Sequence, residues 1–442
     1  MSGFKGTDRF SGDKTATAAM AAGQSSAAEQ IPAASFAGND KRAVIAVTLA
    51  GVGAFFNLHA TQPLLPLFEQ IFHASKAAVG VTVSAATLAV AISAPFWGAL
   101  AERAGRRRII VMSIFLLALP TILAATAGDL SQLIFWRFLQ GLVMPGVFGV
   151  TIAYIAEEWP RHRVPQVISI YVSGTVLGGY LGRIFTGVAA TNHLIPFVEP
   201  SWRIGFVVIG VFDLVFGILL WRWLPRDSPL PEGPRETTAF SQHFRNPQLL
   251  ATFAVGFNVL FSLVATFTYV TFYLAAPPFG LSPAHLSALF TVYLVGLVVT
   301  PLGGIWISRV GSRVALIASV AAGIAGILLT LVQNLPVILL GLVLCSSGVF
   351  ICQSASTTYI QREAHSGGRA SAAGLYVMFY YIGGSVGGVL PGMLWRYGQW
   401  KACVALIIFV QLITVVIAGG VWNGREDLSE DQLTNRPVLE ES

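Results

Sequence analysis

Apolar runs of roughly 18 to 25 residues follow one another along nearly the whole chain, and each is long enough to cross about 30 Å of hydrocarbon as a helix. Backbone in hydrocarbon must satisfy its own hydrogen bonds, so such runs are helical. Hydrophobic side chains make up 55% of the 442 residues and charged ones 11%. A soluble domain carries about twice that charged fraction, so a water-soluble globule is excluded. Polar breaks divide the sequence into twelve expected spans, at 43–66, 77–101, 109–127, 131–154, 166–190, 202–223, 249–275, 284–307, 314–332, 335–359, 371–394 and 401–421. The expected fold class is an all-α membrane protein with twelve transmembrane helices.

The chain also repeats itself. Between the second and third runs lies a glycine-punctuated basic stretch with Gly98, Glu102, Arg103, Gly105, Arg106, Arg107 and Arg108. It returns 206 residues later, between the eighth and ninth runs, as Gly304, Ser308, Arg309, Gly311 and Arg313. At the same offset Gly178 and Gly182 fall on Gly384 and Gly388, and Ser201, Trp202 and Arg203 resemble Gln399, Trp400 and Lys401. Such Trp–cation pairs are expected to anchor helix starts at a membrane interface. One long polar segment, 225–248, separates six runs from six. The expected organisation is two six-helix bundles, 43–224 and 249–421, with tails at 1–42 and 422–442. Duplicated multi-helix units of this kind are how secondary transporters are commonly built.

With the N-terminus inside, fifteen Lys and Arg residues fall in inside connections and only Lys76, Arg203, Arg396 and Lys401 outside. That asymmetry places both termini in the cytoplasm. The net charge of +6 is spread over these short loops, which argues against a nucleic-acid surface. Cys345, Cys352 and Cys403 lie in apolar runs without metal-ligand spacing and read as small core residues; no metal site is expected. The first forty residues, rich in Ala, Gly and Ser and without a signal-peptide core, read as a disordered cytoplasmic tail.

The stretch from Gly98 to Ile110 resembles the signature loop between helices 2 and 3 of the major facilitator superfamily, with Glu102 where that family usually has Asp. Arg137, Gln140 and Gly141 in the fourth run are similar to the Arg-x-x-Gln-Gly motif of its drug:proton antiporter branch. A weaker likeness to the antiporter motif covers Gly174, Gly178, Gly179, Gly182 and Arg183 in the fifth run, with Gly179 in place of Pro and Arg183 in place of Gly. Gln62, Pro63 and Pro66 also resemble a pattern of bacterial efflux permeases in this superfamily. The resemblance implies alternating access around one central site. It also implies that helices 1, 4, 7 and 10 line the cavity, which nominates Asn57, His59, Asn258, Tyr269 and Gln353 as polar wall groups, with Gln62 at the end of helix 1. Tyr376 and Tyr380, one turn apart in the eleventh run, would add an aromatic surface.

The residues themselves supply further candidates. Glu102 is expected to act as a latch at the start of the eleventh helix, near Arg369, where the helix dipole favours a carboxylate. The rest of the paired loops, Gly98, Arg103, Gly105, Arg106, Arg107, Gly304, Arg309, Gly311 and Arg313, would belong to the same cytoplasmic latch. Arg137 is an arginine inside hydrocarbon, which usually faces a partner or a wet cavity. Arg183 lies at similar depth, where snorkelling toward headgroups is the alternative to a functional role. Asp213 is the one acid at mid-membrane depth. Apolar surroundings favour a neutral carboxyl and a nearby arginine the charged form, and alternation between the two is what a proton-coupled carrier needs. His59 is a second proton-carrying candidate. The glycines of the fifth and eleventh runs, including Gly383, Gly384, Gly387 and Gly388, permit close helix contact and mark an expected rocking interface between the bundles.

The expected activity is proton-coupled export of a small drug-like or sugar-like compound across a bacterial inner membrane. Its partners would be the substrate, protons and the lipid bilayer, with the chain a monomer and a proton gradient in place of any cofactor. No Walker A pattern occurs. No His-Glu-x-x-His helix or Gly-x-Ser-x-Gly elbow points to an enzyme. An organic-anion carrier using Arg137 and Arg183 is the alternative, and a non-transporting membrane sensor with the same fold is the next.

Overall fold

A computed structural model describes residues 40–160, 162–192, 199–227, 243–364 and 369–422, with the side chains of 369 and 370 left aside. The expected tails at 1–42 and 422–442, apart from their innermost residues, and most of the 225–248 loop lie outside the described residues.

Ten helices long and apolar enough to span a membrane follow the expected runs: α1 (Asp40–Ile71), α2 (Lys76–Ala104), α3 (Arg106–Ala124), α4 (Leu130–Glu158), α5 (Val164–Ala189), α6 (Trp202–Trp223), α7 (Pro247–Ala275), α8 (Pro283–Val310), α9 (Ser312–Leu329) and α10 (Leu335–Glu363). The run Arg369–Val421 is two more, α11 over 369–397 and α12 over 400–421, because Gly398 and Gln399 leave helical dihedrals and Gln399 takes a positive φ of 50°. The twelve-helix fold is therefore present. Apolar side chains such as Phe96, Phe409 and Val416 stand on the outside of the bundle, as a hydrocarbon solvent allows.

The helix starts and stops follow local chemistry, and the two ends of the molecule differ. At the end remote from the termini, here the far end, Ser75, Asp129, Ser282 and Asn334 accept hydrogen bonds from backbone N–H groups of the helices they precede. At the terminal end, where α1 begins and α12 stops, the α2–α3 and α8–α9 turns pass through Gly105 and Gly311 at φ 91° and 85°. Only glycine takes that conformation without strain. The glycines of the repeated loop thus make the tight turn that brings the arginines into place.

Those arginines work inside each bundle. Arg106 pairs with Glu157 at the end of α4. Arg107 donates from Nε to the Leu224 carbonyl at 2.8 Å and from Nη2 to that of Trp221, capping the end of α6. Its repeat equivalent Arg313 donates to the Gly419 carbonyl at the end of α12. Cations at helix C-termini meet carbonyls with no intrahelical partner, so the interaction is favourable. In this conformation Arg106, Arg107 and Arg313 staple α3 and α9 to helices of their own halves rather than joining the two bundles. Glu102, Arg103 and Arg309 are exposed, and the side chain of Arg369 lies outside the described ones.

The glycine expectation also needs correction. A Cβ on Gly174, Gly178 or Gly182 would meet the carbonyls of Thr48, Val52 or Phe56, so these residues seat α5 on α1 within the first bundle. On α11 the matching contacts are made by Gly383 and Gly387, against the carbonyls of Phe257 and Phe261 of α7. The structural repeat is therefore shifted by one residue from the Gly178–Gly384 and Gly182–Gly388 pairing. Gly384 packs on Leu260, and Gly388 faces the other bundle.

The two bundles meet at the far end. Ser84 donates to the Ser385 carbonyl at 2.6 Å, and Ser385 donates back to that of Ser84 at 3.1 Å. A Cβ on Gly80 would lie 2.1 Å from the Gly388 carbonyl, and one on Gly392 would lie 2.7 Å from Ala77 Cα. Gly187 of α5 packs against Ser287 of α8 in the same way. At the terminal halves of α2, α4, α8 and α11, by contrast, Gly98, Gly149, Gly304 and Gly374 have nothing within 4 Å of a built Cβ. The structure is closed at the far end. Trp202 and Trp400 are buried there: Trp202 packs edge-on to Phe68 and Phe206, and Trp400 stacks on Tyr273 while donating to Thr330. They are core residues rather than interfacial anchors.

Two outcomes follow from this packing. Gly182→Leu should lower the melting temperature in detergent by an amount equivalent to ~1–3 kcal/mol or more, since backbone rather than a flexible side chain must move. Gly149→Ala, with open space around it, should leave it unchanged or slightly raised. In a background cleared of the three native cysteines, Ser84→Cys with Ser385→Cys should crosslink on oxidation and stop transport reversibly; a crosslinked protein that still transports would show that the far-end seam does not open.

Candidate functional site

The polar core of the first bundle begins with a broken helix. α1 runs regularly from Asp40 to Leu58, passes through a short 3-10 stretch at Gln62–Leu64, and resumes at Leu65–Ile71. Pro63 and Pro66 cannot donate backbone hydrogen bonds, so the helical ladder is interrupted where both lie. The last carbonyls of the first segment need other donors. Arg137 of α4 provides them: Nη1 donates to the Asn57 carbonyl at 2.8 Å, Nη2 to that of Leu58, and Nε to the Thr82 carbonyl of α2 at 3.2 Å. Nη1 also donates to Gln140 Oε1. The guanidinium is wholly buried and sits on the negative end of a half-helix, not on a carboxylate.

From Gln140 a chain of side chains leads to Asp213. Gln140 Nε2 donates to Thr121 Oγ1 at 2.8 Å, and Thr121 donates to Asn57 Oδ1 at 2.7 Å. Asn57 Nδ2 then donates to Asp213 Oδ2 at 2.8 Å and to the Gly53 carbonyl at 3.0 Å. The four helices α4, α3, α1 and α6 are tied through one asparagine. Asp213, at the middle of α6, is fully buried, and its Oδ1 has no hydrogen-bond partner among the described residues. The ion pairs found there are Lys76–Glu69, Arg106–Glu157 and Arg163–Asp40, and none includes Asp213.

Arg183 forms a separate node at the seam between bundles. It is 1% exposed, which removes the snorkelling alternative. Nε donates to Gln62 Oε1 at 2.8 Å and Nη1 to the Gly179 carbonyl at 2.6 Å, while Nη2 has no partner among the described residues. Gln62 in turn donates to Thr268 of α7 at 3.4 Å, crossing to the second bundle. The guanidinium carbon lies 4.5 Å from the Phe290 ring centroid and 4.6 Å from that of Tyr293. Both rings belong to a 3-10 stretch, Phe290–Val295, that interrupts α8. In a 3-10 helix residues three apart eclipse, which is why both rings reach the same cation. His59, also buried, has an unpartnered Nδ1 and lies within electrostatic reach of Arg183 and Arg137.

The second bundle contributes an aromatic and amide surface. Tyr376 and Tyr380 pack with centroids 5.9 Å apart, and Tyr380 donates to Gln353 Oε1 at 3.3 Å. Asn258 and Ser262, one turn apart on α7, are buried with Asn258 Nδ2 and Ser262 Oγ unpartnered. Tyr269 is not with them. Its hydroxyl donates to the Gly388 carbonyl at 2.8 Å, so it belongs to the far-end closure rather than to the cavity wall expected for it. Thr121, Thr268, Phe290 and Tyr293 were absent from the sequence candidates. A hydroxyl beside Pro120 in an apolar run was the available sign for Thr121, whereas aromatic residues in an apolar run carry none.

The sequence profile of the Major Facilitator Superfamily matches residues 47–388. An uncharacterised transporter of Buchnera aphidicola subsp. Schizaphis graminum is 31% identical over 379 residues, covering 85% of this chain and 90% of the relative. The inner membrane transport protein YnfM of Escherichia coli (strain K12) is 30% identical over 380 residues, covering 85% and 89%. Among solved structures, a bacterial homologue of the human lysosomal transporter Spinster, inward-facing and unoccupied, superposes with a TM-score of 0.72 at 18% identity over 86% of this chain and 96% of that one. That likeness is one of fold. The profile, the relatives and the two six-helix bundles agree: the chain belongs to the Major Facilitator Superfamily and is a membrane transporter.

Proposed function

We propose that the protein is a proton-coupled exporter of a small organic molecule, with Asp213 as the proton-carrying group. The observation that carries this reading is the carboxyl itself: fully buried, bonded to Asn57, and paired with no cation among the described residues. Burying an ionised carboxylate alone is expensive, so gain and loss of a proton at this position has large structural consequences. Asn57 stands at the end of the α1 half-helix that Arg137 caps, so a change at Asp213 is passed directly to the break in a helix that touches the second bundle through Gln62. A proton on His59 would bring a third positive charge near Arg183 and Arg137, which favours Asp213 for the role. The likeness of Arg137, Gln140 and Gly141 to the antiporter branch supports export.

In this reading the terminal end faces the cytoplasm of a bacterial cell, since Arg106, Arg107, Arg163 and Arg309 all lie there. The described conformation is then closed to the outside, and Glu102 acts as a latch on the start of α11 in the opposite state. The protein works as a monomer, as a carrier rather than an enzyme, and the proton gradient takes the place of a cofactor.

The test uses proteoliposomes containing a pH dye. Wild type should release protons in response to a transported compound, and Asp213→Asn should lose that response while still exchanging labelled for unlabelled compound. Proton movement that survives in Asp213→Asn would overturn the assignment. Outward-directed compound flux driven by an inward proton gradient is the expected direction; flux of compound and proton the same way would replace export by import.

A further inference from the structure

Arg183 carries more than a seam contact requires. A buried guanidinium needs its charge compensated, and of the nitrogens here Nε and Nη1 are used on neutral oxygens of Gln62 and Gly179. Nη2 is left without a partner, and no acidic side chain among the described residues pairs with this cation. The aromatic faces of Phe290 and Tyr293 offset part of the cost, but they offer no acceptor in the plane of the guanidinium. His59 Nδ1 is a second unpartnered polar atom in the same neighbourhood.

We infer that Arg183 is the recognition group for a carboxylate on the transported molecule, which binds its Nη2 edge at the seam between α5 and α8. The inference rests on the carrier reading and narrows its substrate to organic acids. Of the two arginines expected to serve an anion carrier, only one is suited to it. Arg137 is engaged by three backbone carbonyls and Gln140, deep among α1, α2 and α4, whereas Arg183 stands between the bundles with an edge to spare. The geometry also gives the site a dependence on state. When α8 moves from α5, Phe290 and Tyr293 leave the guanidinium, and the carboxylate takes over the compensation they gave. A charge-assisted pair with a planar fork suits a carboxylate, and a neutral amide of the same shape lacks the charge.

The full chain, purified in detergent, is titrated with benzoate, hexanoate and gluconate, each beside its own amide, and thermal stabilisation is read. At least one acid should stabilise the wild type where its amide does not. Arg183→Gln should weaken that response about ten- to a hundredfold, and Arg183→Lys should retain part of it. Should Arg183→Gln not fold, Gln62→Glu serves instead: it places an internal carboxylate against Arg183 Nε and should abolish the response to acids while the protein stays folded. Equal responses to acid and amide, or silence toward every acid, would overturn the inference. Failure of the carrier reading looks different, because wild type in proteoliposomes would then move neither acids nor amides.

Discussion

The cation at Arg137 is the interaction on which the rest of the first bundle depends. A guanidinium in hydrocarbon costs several kcal/mol without compensation, and here the compensation is a set of backbone carbonyls freed by the break in α1. The two features require each other. The break, with Pro63 and Pro66, leaves carbonyls that need donors, and the arginine needs acceptors that are not carboxylates if Asp213 is to remain without a cation. Asn57 is the junction, since its backbone carbonyl accepts from Arg137 while its side chain donates to Asp213. A change at Asp213 is thereby linked to backbone geometry rather than to a single ion pair.

The far-end seam shows how two rigid bundles can separate without exposing a large hydrophobic face. Its contacts are glycines, two serines exchanging hydrogen bonds with backbone carbonyls, and a tyrosine hydroxyl on a helix carbonyl. Small residues allow close approach, and each such hydrogen bond contributes only about 1 kcal/mol in a membrane. A seam of many weak terms opens more readily than a knob-into-hole core. The glycines of α5 and their partners on α11 do the opposite. They let α5 reach the carbonyls of α1, and α11 those of α7, packing helices tightly within each half.

Much of this was legible in the sequence, for a physical reason. Charged and amide side chains are rare in hydrocarbon, so Arg137, Asn57, Arg183 and Asp213 stood out singly, whereas Gln140 came with the family motif. The apolar run lengths likewise set the helix count, although the α11–α12 boundary is marked only by Gly398 and Gln399. What was not legible involves residues at ease in a membrane. Phe290 and Tyr293 look like any aromatic pair until the 3-10 stretch in α8, marked in the sequence only by Gly296 at its end, turns both to one face. Doubled glycines hid the repeat register, since Gly383 and Gly384 fit a sequence alignment about equally and only packing against Phe257 distinguishes them. Trp202 and Trp400 sit at helix starts, where an interfacial anchor and a buried core residue have the same sequence signature.

The duplication makes the asymmetry of the halves informative. The turn glycines Gly105 and Gly311, the capping arginines Arg107 and Arg313, and the glycine contacts of α5 and α11 are kept in both, so they are what the bundle architecture needs. The Arg137–Gln140–Thr121–Asn57–Asp213 chain has no full counterpart in the second half: at the 206-residue offset Val343, Ile327 and Gly419 stand where Arg137, Thr121 and Asp213 do, and in the packing register of α1 and α7 Ser262 stands where Asn57 does. The second half folds without this chain, so the chain is not part of what the shared bundle architecture needs. Its cost in buried polarity therefore points to a role beyond that architecture.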